Sequence, residues 1–174
     1  MLVSQAPVHR CFDVNKDVTL SVNASSEGLG AVLIQEGQPV AFGSRALTDC
    51  QKRYTQTEKE LLAIVYGCQK FKQYVHGKTV HVETDHKPLE TVFKKSIQKA
   101  PPRLQRMLMS FQLYDLRVSY KPGNDLYIAD TLSQAYLNEK TEQLLEDELQ
   151  VHLLTAQLPV TEKKTEHVQS TNRS

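Results

Sequence analysis

Residues 18–47 read VTLSVNASSEGLGAVLIQEGQPVAFGSRAL, and the period of this stretch decides the fold class. Val18, Leu20 and Val22 alternate with polar residues, the two-residue repeat of a half-buried strand over 18–25. Gly28 and Gly30 punctuate the exit from it. GAVLIQ (30–35) is a second strand and PVAFGSRAL (39–47) a third. Glu36-Gly37-Gln38 is a turn short enough to join the last two, so the three form an antiparallel meander.

Downstream of this meander the period changes. Over 55–76, Leu61, Ile64, Val65, Cys68, Phe71 and Val75 fall on one helical face. Thr48 or Thr55 supplies the cap and Gly77 the stop. TVHVETD (79–85) returns to strand, with Val80 and Val82 on one face, and Pro88 sits near the start of a short helix running to about Lys95. Pro101-Pro102 suit the first turn of another helix, with the stripe Leu104, Leu108, Phe111 and Leu113 and with Met107 beside it. DLRVSYKPG (115–123) reads as a strand ending in a Pro-Gly turn, and 127–136 as a final short helix. This order predicts an α/β domain around a mixed five-stranded sheet flanked by helices.

At 174 residues, with 40% hydrophobic and 24% charged content, the chain suits one globular domain with an appendage. We expect 1–16 to be the end of a preceding connection, 17–137 the domain, and 138–174 an acidic tether. No apolar run approaches the ~20 residues of a membrane helix, and no basic-then-apolar leader opens the chain. The expectation is an intracellular protein, cytoplasmic or nuclear, not secreted and without a membrane partner. The Asn-Ala-Ser pattern at Asn23 then carries no glycan. Cys11, Cys50 and Cys68 are too scattered for a zinc site or a disulfide framework. Charge is uneven: residues 139–174 hold four Lys/Arg against seven Asp/Glu, leaving seventeen against thirteen in 1–138. A mildly basic body with an acidic tail fits a nucleic-acid partner.

Three acidic residues border the core elements: Glu60 on the main helix, Asp85 at the end of the fourth strand, and Asp130 on the last helix. Gathered at one edge of a sheet, such carboxylates repel unless a cation neutralises them, and all-oxygen ligands favour magnesium or manganese over zinc. Residues 92–113, VFKKSIQKAPPRLQRMLMSFQL, carry five basic side chains and no acidic one. Lys94, Lys95, Lys99, Arg103 and Arg106 are candidates for contacts to nucleic-acid phosphates, with Ser25, Ser26 and Gln56 as weaker ones.

The stretch from VTLSVNAS to ETDHKPLE, followed by KAPPRLQRMLMSFQLYDLRVSYKPGNDLYIADTLSQAYL, closely resembles the ribonuclease H domain of Gypsy-type LTR retrotransposon reverse transcriptases. The resemblance covers about residues 5–137, and DELQVHLLTAQLPV is similar to the connector that precedes integrase. It implies a ribonuclease H-like fold and hydrolysis of the RNA strand of an RNA–DNA hybrid through two magnesium or manganese ions. It also implies a polymerase domain in the same polyprotein as partner. The family's catalytic, metal-binding carboxylates fall on Glu60, Asp85 and Asp130. Its first aspartate, in a Thr-Asp-Ala-Ser-like motif, falls on Asn23. An amide offers one neutral oxygen and no charge, so four carboxylates become three. The resemblance therefore implies an enzyme impaired at Asn23, or a hybrid-binding module or inert remnant without activity. Tyr120 matches a position proposed to assist where other ribonucleases H use histidine, and Gln134 stands where the family has arginine.

Overall fold

The computed structural model describes residues 12–136. Most of the expected connection 1–16, and all of the expected tether 138–174, lie outside the described residues.

Five strands form one mixed sheet in the order β3-β2-β1-β4-β5. They are β1 (Val18–Ala24), β2 (Gly28–Gln35), β3 (Gln38–Ala46), β4 (Thr79–Thr84) and β5 (Asp115–Tyr120). β1, β2 and β3 are the expected antiparallel meander, while β4 lies parallel to β1 and β5 parallel to β4. The hairpin loop between β2 and β3 is Glu36-Gly37, both at positive φ (50° and 73°). Such backbone matches the right-handed twist of the flanking strands.

β1 occupies the centre of the sheet, which corrects the half-buried reading. Two of its three alternating polar positions are as covered as its apolar ones, Ser21 at 3% and Asn23 at 5% exposed, and only Thr19 is half-buried. This burial also puts the Asn-Ala-Ser pattern out of reach of a glycan.

The helices are α1 (Asp49–Lys52), α2 (Gln56–Lys70), α3 (Lys72–Val75), α4 (Pro88–Lys94), α5 (Pro102–Ser110) and α6 (Tyr127–Gln134). Both candidate caps are used, because Thr48 opens a separate helical turn, α1, and Thr55 opens α2, each in a reciprocal capping box. The single helix expected over 55–76 is broken at Phe71, whose φ of −103° and ψ of 23° leave the helical region while its ring is buried. The apolar stripe of α5 ends early. A 3-10 turn takes over at Phe111, which stays buried, and the altered periodicity leaves Leu113 75% exposed.

α2 and α6 pack on opposite faces of the sheet. Gly67 of α2 lies against Leu20 and Ala31. Asn23, Gly30 and Ser44, on the alternate register, face α6. A Cβ at Gly30 would meet the Ala129 carbonyl oxygen and lie 2.7 Å from the Ser133 nitrogen, and one at Gly28 would lie 2.5 Å from the Ser133 oxygen. These glycines let the backbone of α6 sit directly on β2.

Candidate active site

The parallel strands β1 and β4 end at the same edge of the sheet. Their register pairs Ser21 with Glu83, so Asn23 and Asp85 each lie two residues further on and are level with one another. Open α/β sheets place ligands beyond the carboxyl ends of parallel strands. Glu60, in the second turn of α2, reaches this edge from one face, and Asp130, in the first turn of α6, from the other.

Glu60 is 1% exposed. Its Oε1 accepts from Gln56 Nε2 at 2.8 Å and from the Ala24 backbone N–H at 3.3 Å, while Gln56 Nε2 also donates to the Ala24 carbonyl at 3.0 Å. Gln56 thus fastens α2 to the end of β1 rather than reaching outward. Oε2 is buried without a hydrogen-bond partner; the Thr84 hydroxyl lies near enough to favour the charged form but not in hydrogen-bonding position. Burial, and then the negative charge of Asp85, push the Glu60 carboxyl up to about 8 against these hydrogen bonds. Without a counter-charge, the neutral form therefore predominates at pH 7.

Asp85 stands more open at the rim. Partial burial raises its carboxyl, His86 pulls it back, and Asp130 raises it further. Burial in turn lowers His86, whose Nε2 lies 2.9 Å from the Thr57 hydroxyl. Asp85 is therefore the middle of the set, coupled to Glu60 on one side and Asp130 on the other.

Asp130 is held by amides. Its Oδ1 accepts from Asn23 Nδ2 at 2.8 Å and from Gln134 Nε2 at 2.9 Å. Asn23 Nδ2 also approaches Ser133 Oγ at 3.4 Å. The structure thus brings together the four positions Asn23, Glu60, Asp85 and Asp130, which are scattered over 108 residues of sequence. It does not make them a two-ion centre. Asn23 turns an N–H, not a lone pair, toward Asp130, and among the described residues no three Asp, Glu, His or Cys side chains are grouped to hold a metal ion. The expected pair of magnesium or manganese ions does not fit this donor set.

The basic candidates separate. Lys95 lines an open groove of about 520 Å³ with Lys87, Thr57, Thr91, Pro88 and Val92, next to His86 and hence to Asp85. No local pattern in the sequence marks Lys87, Thr57 and Thr91, because only the packing of α4 beside the start of α2 brings them level. Lys94, Lys99 and Arg106 are exposed. Arg103 is engaged within the protein: Nη1 donates to Glu58 Oε1 at 2.9 Å, and the guanidinium lies 4.2 Å from the centre of the Tyr54 ring. Ser25 Oγ donates to the Ser133 carbonyl at 2.7 Å and accepts from the Gly28 N–H, so it ties the β1–β2 turn to α6. Tyr120 is 41% exposed, and its backbone N–H donates to Glu90. A broader depression lined by Lys70, Lys72, Gln73 and His76 lies at the far end of α2, about 15 Å along the helix from Glu60.

Residues 13–114 match the sequence family described as the RNase H-like domain found in reverse transcriptase. The chain belongs to this family. The matched region contains Asn23, Glu60 and Asp85 and stops before Asp130. Among curated proteins, the chain is 32% identical over 153 residues to the retrovirus-related Pol polyprotein from transposon gypsy of Drosophila melanogaster, covering 87% of this chain and 15% of that protein. It is 35% identical over 131 residues to the Pol polyprotein from transposon 412 of the same organism, covering 73% of this chain and 10% of that protein. It therefore spans only a small part of these relatives. Among solved structures, RNase H1 from Halobacterium salinarum aligns with a TM-score of 0.55 at 18% identity, covering 67% of this chain and 93% of that one. LC11-RNase H1 in complex with an RNA/DNA hybrid gives 0.56 at 14%, over the same shares. The fold of this RNase H-like domain is thus shared with these RNase H1 structures.

Proposed function

We propose that this domain engages RNA–DNA hybrids, as part of an intracellular polyprotein that also carries a polymerase domain, and that hydrolysis of the RNA strand is impaired at Asn23. The observation that carries the reading is the placement of the four family positions at one sheet edge, directly beside a groove that presents two lysines and two threonine hydroxyls and no carboxylate. Lysine and hydroxyl donors serve phosphate oxygens without regard to sequence. The hybrid backbone lies along Thr57, Lys87, Thr91 and Lys95, with Lys94 and Arg106 as outlying charges. Intact relatives rely on a pair of ions to activate water and to stabilise the leaving oxygen. The residues here do not suit that pair. Every ~1.4 kcal/mol of lost transition-state stabilisation is a tenfold loss of rate, so loss of one charge at this position is expected to leave the site nearly silent.

A fluorescently labelled hybrid tests both halves of the proposal. Salt-sensitive binding with only background cleavage in magnesium or manganese is expected, and Lys87→Ala/Lys95→Ala is expected to weaken binding. Robust cleavage that Asp85→Asn abolishes would refute the impaired reading. Absence of hybrid binding at low salt would refute the binding one.

A further inference from the structure

The circle of polar atoms between β1 and α6 contains more acceptors than donors, and the Asn23 amide balances them. Asp130 Oδ1 needs donors and receives two, from Asn23 Nδ2 at 2.8 Å and Gln134 Nε2 at 2.9 Å. Ser133 Oγ gives its only hydrogen to the Asp130 carbonyl at 2.8 Å, so it can only accept from Asn23 Nδ2 at 3.4 Å. Both neighbours of Asn23 are thus acceptors, which fixes which end of the amide faces them. Asn23 itself is 5% exposed, so water does not supply missing donors freely.

A carboxylate at position 23 would reverse this. Its oxygen would face Asp130 Oδ1 and a committed Ser133 hydroxyl, giving three acceptors in contact with no donor between them, two of them charged. Such an arrangement requires a proton or a cation. We propose that the Asn23 amide takes the place of a cation between β1 and α6, so that α6 docks with Asp130 in position whether or not divalent metal is present. Asn23 is then a positioning residue for the last helix, and the domain keeps the ribonuclease H-like shape after losing the donor set for an ion pair.

The rest of the α6 interface makes the idea testable without unfolding the protein. Ser25 Oγ donates to the Ser133 carbonyl and Ser44 Oγ to the Leu132 carbonyl, both at 2.7 Å, and Gly28 and Gly30 keep the backbones in contact. Loss of the Asn23 bond therefore loosens one corner of the helix.

The experiment measures the Tm of the whole chain in EDTA and in millimolar manganese. Four proteins are compared: the wild type, Asn23→Asp, Asp130→Asn and the exchange pair Asn23→Asp/Asp130→Asn. The wild type is expected to melt at the same temperature in both conditions. Asn23→Asp should fall by on the order of 5 °C in EDTA and recover in manganese. Asp130→Asn should stay insensitive to metal, because the two amides can still pair. The exchange pair restores a donor between positions 23 and 130 but not toward Ser133, so it should regain part of the stability that Asn23→Asp loses in EDTA and respond less to manganese. Hydrogen exchange of the α6 amides should follow the same order. If Asn23→Asp does not fold in EDTA, refolding in manganese and the behaviour of the exchange pair decide the question. The proposal is overturned if manganese raises the wild type as much as Asn23→Asp. It is also overturned if Asn23→Asp in EDTA is as stable as the wild type, or if the exchange pair responds to manganese as strongly as Asn23→Asp. None of these readouts involves nucleic acid, so failure here and failure of hybrid binding are separate results.

Discussion

Replacing Gly30 with alanine tests the claim that α6 is seated backbone-on-backbone. The added methyl would meet the Ala129 carbonyl oxygen and the Ser133 nitrogen, the latter at 2.7 Å, and neither is a flexible side-chain tip. Because β2 is an interior strand of the sheet, the movement has to come from α6. Overpacking costs about 1–3 kcal/mol. Retreat of the helix also stretches the bonds from Asn23, Ser25 and Ser44, each worth about 1 kcal/mol net. With part of these lost, the total is about 3–5 kcal/mol, or roughly 10–20 °C in Tm for a domain of this size. Gly37→Ala is the control. Nothing lies within 4 Å of a Cβ there, but φ is +73°, so the cost is strain alone, roughly 1–2 kcal/mol. Urea unfolding with both slopes compared, and calorimetry, give the two numbers. A Gly30→Ala loss no larger than that of Gly37→Ala would refute the close-seating argument.

Three further outcomes are expected. Burial pushes the Cys68 thiol up to about 12, so in a Cys11→Ser/Cys50→Ser background a thiol reagent at pH 8 should react only as the protein unfolds; prompt native reaction would contradict the burial. Burial alone would raise Glu58, but the Thr55 N–H and the Arg103 guanidinium outweigh it and hold the carboxyl below the usual carboxylate range. Its stabilising contribution is therefore present above the unfolded-state pKa and lost as pH falls through the folded one, so Arg103→Ala should flatten the acid limb of a stability–pH curve and leave pH 7–9 parallel to the wild type. In hybrid binding, Lys87→Ala and Lys95→Ala should each reduce the slope of log affinity against log salt by about 0.9, while Arg103→Ala, whose charge is engaged by Glu58, should change it far less; equal slope changes for all three would show that Arg103 faces the nucleic acid as well.

Most of the fold was legible because it is written in local periods. Val18, Leu20 and Val22 at spacing two, and Leu61, Ile64, Cys68 and Val75 at helical spacing, announce their elements and are buried as that pattern requires. What failed was also local in cause. Phe71 buries its ring by leaving the helix, and Leu113 falls on a turn of different period, so a stripe counted at 3.6 residues per turn runs on too far.

The candidate site was legible only as residue types in motifs. The sequence by itself determined the family, pointed to Glu60, Asp85 and Asp130 as candidates, and showed that position 23 is an amide without charge. Only the tertiary structure decided what that amide does. The partner of Asn23 is 107 residues away, on the opposite side of the β1–α6 junction, and hydrogen bonds of that separation leave no period to read. The same holds for Arg103, whose basic charge is plain in sequence but whose occupation by Glu58 depends on α5 packing against α2. It holds as well for Lys87 and Lys95, which become one groove when α4 folds beside Thr57. Periodicity reports which face of an element is buried; it carries no information on which two polar side chains meet, because that depends on distances set by the whole packed sheet.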